Sequence, residues 1–306
     1  MTYYLHRISD KYGTHVWKVD ADRAFRIGVP NPENHKGSSY FERSSGKTIW
    51  ETIQSETDWF GPAGQSPFEA AILQPGEYYY RMARPLEQHK RTAAGFYPGA
   101  KDESSVIAVS LGQLNVFTRQ LDRICQTVHP TPQTFGAYGH DIRNSLIIAC
   151  TEVESHWRGV LEANGLKRDR YSTNDYVRLL KPMRLDEYEL RFVTYPWLPP
   201  ISPFRGWVST GKPTQDLKWY DAYNAVKHNR EHEFERANLQ HVFEAVCACV
   251  VMMAAQFGLT DGFGHHSDVA SFFRLSAEPT WDLTEMYIYP YDGYAAGWSP
   301  ISFLFP

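Results

Sequence analysis

Residues 238–257 read Asn238-Leu-Gln-His-Val-Phe-Glu-Ala-Val-Cys-Ala-Cys-Val-Val-Met-Met-Ala-Ala-Gln-Phe257, and this stretch decides the fold. Leu239, Val242, Phe243, Val246, Val250, Met253 and Phe257 recur at the three- and four-residue spacing of one helix face. In its second half apolar residues occupy nearly every side of the helix. A helix apolar all round has to be covered all round, so the pattern predicts a central helix with partners on several sides. Its most apolar run, Ala245 to Ala255, reads as too short to cross a bilayer. The N-terminal MTYYLHRISDKYG has no apolar core of signal-peptide length, so the expectation is a cytoplasmic protein with no membrane partner.

Working outward, three more helices are expected before this one. Leu114, Phe117, Leu121, Ile124 and Val128 mark the first, which starts near residue 106 and must stop by His129-Pro130-Thr131-Pro132, where proline removes the N–H groups a helix needs. The second spans about Gly139 to Asn164 on a stripe of Ile142, Leu146, Cys150, Val153, Trp157 and Leu161, with Asn164-Gly165 as its stop. The third runs from about Thr214 to His228. Because no helix can bury its stripe alone, the second, third and fourth are expected to form one antiparallel bundle over residues 106–257. Residues 166–214 read as an insertion, with a short helical piece near Asn174–Leu180, an alternating run at Tyr188–Tyr195 and the proline-rich Pro196–Pro213.

Both flanks are rich in aromatics, Gly and Pro. Residues 1–105 carry extended candidates at Thr14–Asp20, Ala24–Pro30, Thr48–Ile53 and Glu77–Met82, separated by turn-forming runs, and read as an irregular α+β region. Residues 258–306, with extended candidates at Glu285–Tyr289 and Ile301–Phe305, hold too many large apolar side chains for a disordered tail and are expected to pack on the N-terminal region. The fold class expected is mainly α with α+β flanks.

At 306 residues the chain makes one large domain or two small ones. Its 31 Lys+Arg against 35 Asp+Glu leave a formal charge of −4, so no global positive field recruits nucleic acid and any RNA contact has to be local. The most basic stretch, Arg81 to Arg91, reads first as a solvated loop or helix start. Cys125, Cys150, Cys247 and Cys249 all fall in expected helices and read as buried thiols. Cys247 and Cys249 are two apart and point to different helix faces, which argues against a zinc knuckle or a redox pair.

The chemistry-bearing residues concentrate just before the central helix. Residues 219–236 crowd Asn224, Lys227, His228, Arg230, Glu231 and His232 into one stretch. At about 100° per residue, Trp219, Tyr223 and Val226 share one side of the third helix while Asn224 and His228 share the opposite, polar side. On the second helix Arg143 and Glu154, eleven residues apart, return to nearly the same angle at the border of the apolar stripe, and Glu152 points away. The same residues also read structurally: Lys and His at a helix C-terminus meet free carbonyls and the negative end of the dipole, and an Arg–Glu pair at a stripe edge is commonly an interhelical bridge.

A helix ending in Asn224-Ala-Val-Lys-His228, next to the last long helix of a bundle, resembles the HEPN superfamily (higher eukaryotes and prokaryotes nucleotide-binding domains) over about residues 106–257. The resemblance implies a helical bundle, a homodimer, and RNA as partner. Many members are metal-independent endoribonucleases of toxin–antitoxin, abortive-infection and CRISPR systems, so it implies a setting in stress or phage defence and no cofactor or metal. Their motif is an Arg, four to six residues, then a His, often with Asn, Asp or His directly after the Arg. Asn224 and His228 match that polar position and the His. The Arg is not matched, because Asp221, Ala222 and Tyr223 stand where it would fall, so the cation would come from Arg230, Lys227 or Arg143. Arg84–His89 and Arg123–His129 fit the spacing away from that junction. In an active site His228 would carry the proton, a neighbouring Arg would stabilise the phosphate charge and Asn224 would orient the imidazole, with Glu154 within reach at the edge.

Two other readings remain. His228-Asn-Arg-Glu-His232 fits the spacing of inverted zinc metallopeptidases, in which two His four apart on one helix hold zinc. His265, His266 and Asp268 could supply a further ligand, or could sit in a solvated Gly-rich turn. Alternatively the polar face of the third helix serves a non-catalytic protein-interaction module.

Overall fold

A computed structural model describes residues 1–9, 13–86, 95–208, 211–258, 268–291 and 297–306, without the side chains of Ser9 and Arg230. It divides into two compact units, one of Met1–Tyr78, Arg84–Thr92 and Trp281–Pro300, the other of Tyr79–Ala83, Ala93–Thr280 and Ile301–Pro306.

The first unit is built on alternation. Strands β1 (Thr2–Ser9), β2 (Gly13–Val19), β3 (Arg23–Arg26), β4 (Tyr40–Glu42) and β5 (Phe68–Ala70) form one antiparallel sheet in the order β4-β3-β2-β1-β5. Successive side chains leave opposite faces. Trp17, Val19, Ala24, Phe41 and Phe68 pack with Ile49 and Ile53 of helix α1 (Ile49–Glu56), with Trp50, Trp59 and Phe60 around them. Leu5, Val16 and Ile27 cluster instead with Leu283 and Ile288.

This sheet overturns the mainly α expectation: helix takes 46% and strand 17% of the structure, which makes the fold α+β and not a mainly helical bundle. The sheet escaped a reading by apolar runs because β1, β4 and β5 are short or interleave polar and aromatic residues. Thr48–Ile53, expected to be extended, is helical. Thr48 and Glu51 form a reciprocal capping box, which satisfies free N–H groups of the first turn, and Ile49 and Ile53 share the buried face. Glu285–Tyr289 is not a strand: Leu283–Glu285 is a 3-10 turn, and Tyr287 makes only an isolated bridge with Leu86. Arg84, expected in a solvated stretch, is 3% exposed, with its guanidinium 4.9 Å from the Trp281 ring and Nη1 donating to the Glu285 carbonyl. The rest of that basic stretch, from Glu87 on, lies outside the described residues.

The second unit is built on helical period. Helices α2 (Ser104–Thr127), α3 (His140–Ala163) and α4 (Lys218–His228) all pack on α5 (Leu239–Phe257), in which every residue from Ala245 to Phe257 is buried. The four cysteines are buried thiols on these helices. At 19 residues α5 is, against expectation, long and apolar enough to cross a membrane, but 83% of its most apolar window is buried inside the structure. It ends at Gly258 in the left-handed region (φ 66°), where a Cβ would lie 2.2 Å from the Gly95 carbonyl oxygen, so only glycine fits. Residues 166–214 hold short helical turns and strand β6 (Glu189–Phe192), which pairs antiparallel with β7 (Phe273–Ala277). The helix expected from Thr214 is interrupted: Pro213–Asp216 is a separate turn, and Leu217 adopts φ −92°, ψ 96° before α4 begins.

Candidate functional site

Helix α4 is fixed by its aromatic face. Trp219, Tyr220, Ala222, Tyr223 and Val226 are buried, and Trp219 Nε1 donates to the Pro203 carbonyl at 2.9 Å. The two tyrosines carry hydroxyls into this seam, and there they meet the polar residues of α3 and α4. Tyr220 Oη donates to Glu154 Oε1 at 2.6 Å. Burial first, and then the Glu154 charge, hold the Tyr220 phenol far above its usual range, and the same two causes push Tyr176 up to about 12. Lys227 Nζ donates to Tyr223 Oη at 2.8 Å and lies 4.9 Å from that ring's centroid. That hydrogen bond is the main reason the ammonium is held above its ordinary value, with the Glu154 charge adding to it. Glu154 therefore sits among two phenols, with Lys227 and Arg158 in electrostatic reach of the group.

The site residues expected from the sequence divide. Glu154 and Lys227 come into one electrostatic neighbourhood through the tyrosines. Asn224 does not orient His228: its Nδ2 donates back to the Tyr220 carbonyl at 2.9 Å, one turn earlier. His228 is exposed at the C-terminal end of α4 and makes no hydrogen bond or ion pair among the described residues. Arg143 is half-buried, with Nη1 3.3 Å from Asn144 Oδ1 and Nε without a partner. Eleven residues separate it from Glu154, about 16 Å along the helix at 1.5 Å per residue, so their shared angle does not make a shared site. Tyr220 opposes Glu154 while Lys227 is in reach of Cys150, so α3 and α4 run antiparallel, and Arg143 lies toward the end that carries His228. Arg230 opens the short turn Arg230–Glu233, and its side chain is outside the described residues.

The zinc reading needs one continuous helix through His228 and His232. The helix stops at His228, and Asn229 (φ −138°, ψ 60°) separates the two histidines into different elements. Among the described residues no three His, Cys, Asp or Glu side chains gather as a metal set. Asp268 pairs with Arg119 at 2.7 Å, while His265 and His266 lie outside the described residues. Of the two displaced Arg–His matches, Arg84 is buried and His89 is not described, and His129 stacks on Trp197 with centroids 5.2 Å apart.

Sequence reasoning missed Tyr220, Tyr223 and Tyr176, the groups that organise this seam. The available signal was that Tyr220 and Tyr223 sit three apart, and Tyr223 four before Lys227, on the buried side of an otherwise polar helix. Comparison with known protein families, curated proteins and solved structures found no match for the chain.

Proposed function

We propose that the chain is an RNA-directed protein whose helical unit is a binding relative of the HEPN superfamily, and that it holds a phosphodiester without cleaving it. The observation that carries the reading is His228, exposed beside exposed Lys227 at the end of α4, with no side chain among the described residues to orient it. General acid–base catalysis needs the imidazole held in one geometry and a cation aimed at the phosphate. Here Asn224, Lys227 and Glu154 are each engaged with a tyrosine of α4. An exposed Lys–His edge still offers donors and charge to a phosphate backbone, which is a local contact compatible with a net charge of −4.

Fluorescence polarisation with a labelled single-stranded RNA, repeated across a salt series, tests the proposal. Wild type is expected to bind with a salt-dependent affinity, and Lys227→Ala combined with His228→Ala to bind several-fold more weakly with a shallower salt slope. Incubated RNA is expected to stay intact with or without EDTA. Equal binding by wild type and the double variant would overturn the assignment of the edge. Cleavage lost in His228→Ala would overturn the binding-only reading in favour of a metal-independent endoribonuclease.

A further inference from the structure

At the start of α3 an open groove of about 390 Å³ runs between the last turns of α2 and the chain that enters α3. Arg123 and Thr127 form one wall, Tyr138, His140 and Asp141 the other, and Ile124 and Ile142 are buried beneath them. Arg123 and Asp141 are exposed and line the same groove, yet neither makes an ion pair with the other or with any described residue. Two opposite charges kept apart across a space are left for something that fits between them.

The wall that carries Tyr138 is held rigidly. Leu239 N donates to the Ala137 carbonyl at 2.8 Å and Gln240 N to the Phe135 carbonyl at 3.0 Å, which ties this loop to the first turn of α5. Phe135 packs on Phe243 with centroids 5.5 Å apart. The Phe234 ring then props both rings of that wall, 6.0 Å from Tyr138 and 5.1 Å from His140. Tyr138 is nevertheless 55% exposed, an aromatic face fixed in place and left open. A loop fixed beforehand loses little freedom when a ligand arrives.

We infer that this groove binds a ribonucleoside monophosphate unit, free or as one residue of an RNA strand. The inference rests on the RNA-directed reading and names the ligand element for it. The three chemistries such a unit requires are present at one place: a guanidinium, Arg123, for the phosphate; an open aromatic face, Tyr138, for the base; and a carboxylate, Asp141, to accept hydrogen bonds from ribose hydroxyls. His140 lines the wall of Tyr138 and Asp141 and adds a ring N–H to the groove. A volume of about 390 Å³ lies in the range of small-ligand sites. Inorganic phosphate alone would leave Tyr138 and Asp141 unused, and a DNA unit would leave Asp141 without its 2′-hydroxyl.

Calorimetric titration of the full chain with adenosine 5′-monophosphate, 2′-deoxyadenosine 5′-monophosphate and inorganic phosphate tests the site, with RNA binding measured in parallel. The ribonucleotide is expected to bind more tightly than the deoxy form by severalfold, and phosphate more weakly than either. Arg123→Ala should weaken the ribonucleotide at least tenfold, Tyr138→Ser severalfold, and Asp141→Asn should erase the preference for ribose. Arg123 and Asp141 are exposed, so these variants should keep the wild-type circular dichroism and unfolding midpoint. A groove filled only by a strand would show no mononucleotide binding but loss of RNA affinity in Arg123→Ala, which still supports the site and assigns its source. Wild-type RNA binding unaffected by Arg123→Ala, together with no mononucleotide binding, would overturn this inference and leave the proposed function standing. Mononucleotide binding lost in Arg123→Ala, with no RNA binding at low salt, would overturn the proposed function and leave the groove.

Discussion

Helix α3 packs on both α5 and α4 and meets the two on different terms. Against α5 the contact is dry: Cys249 Sγ points to the Ala149 carbonyl, and His156 Nδ1 pairs with Gln256 Nε2 at 3.0 Å, both residues buried. Against α4 the charged groups are open to water: half-buried Glu154 accepts from buried Tyr220, and exposed Lys227 donates to buried Tyr223. In the first seam a polar group that loses its partner has nowhere to turn, and desolvation decides its protonation. In the second, water can replace a lost partner, so side chains are free to be exchanged for a ligand. The contrast explains why the candidate site lies along α4 and not in the better-packed seam.

The largest effect should come from neither polar pair but from the aromatic packing that sets the α3–α4 spacing. Trp157 is fully buried, stacked on Trp207 at 5.1 Å and in contact with Tyr176 at 4.9 Å and Tyr220 at 5.3 Å. Trp157→Ala should cost about 3–5 kcal/mol in urea unfolding, through lost transfer energy and the cavity left behind. If that variant does not fold, Trp157→Phe should still fold with a smaller loss. A loss below about 1 kcal/mol for Trp157→Ala would show that the seam is held by its hydrogen bonds instead.

The pH dependence of stability separates the two seams next. Burial, with the nearby Arg81 charge second, lowers His156 from 6.5 to about 4, and the carboxylate of Glu152, 3.5 Å from Nε2, does not reverse this. Burial also holds Glu152 itself above the usual carboxylate range. Because the folded His156 stays neutral where the unfolded one is already protonated, its contribution is complete above about pH 6.5 and is lost as pH falls toward 4. The full loss is on the order of 3 kcal/mol at 1.36 kcal/mol per pKa unit. Glu152 works with the opposite sign, losing stability as pH rises through its raised value, so the informative quantity is the difference between wild type and His156→Phe. The variant should lose about one proton's worth of slope between pH 4 and 6.5. Identical slopes in the two proteins would place His156 in contact with water.

How much of this was legible follows from what each pattern measures. The apolar stripes of α2, α3 and α5 survive because burial on one helix face leaves a 3.6-residue signature that no later contact erases. The sheet was less visible: β4 and β5 are three residues each, and β1 places Tyr4 and His6 among aromatics on one side and Leu5 on the other, which reads as neither an apolar run nor a clean alternation. The capping box at Thr48 and Glu51 was readable and would have corrected that segment. At the site, helical angle put Asn224 with His228 and Arg143 with Glu154, but angle carries no information on axial distance or on competing partners. The Tyr220 carbonyl captures Asn224, and about 16 Å of helix parts Arg143 from Glu154. Tyr220 and Tyr223 were hidden by their own amphipathic nature, since a buried ring looks like core until its hydroxyl is placed.

The smallest expected effect tests the comparison most directly. Tyr220→Phe keeps the ring and removes only the hydroxyl that donates to Glu154 Oε1 at 2.6 Å. Glu154 is half-buried, so its carboxylate takes a water in place of the phenol, which holds the loss to about 1 kcal/mol, below the usual range for a hydrogen bond to a charged group. Gln256→Leu removes the partner of His156 where no water replaces it, and should cost more, about 1–3 kcal/mol, the penalty of a buried polar atom left alone. Combining Gln256→Leu with His156→Phe should recover much of that loss, because two apolar groups of matching size leave nothing unsatisfied, whereas Tyr220→Phe has no such rescue to make. The ranking is measured by urea unfolding of the three variants at pH 7. If Tyr220→Phe costs more than Gln256→Leu, the α4 seam is the sealed one, and Glu154, Tyr220 and Lys227 are structural cement with no part in binding a ligand.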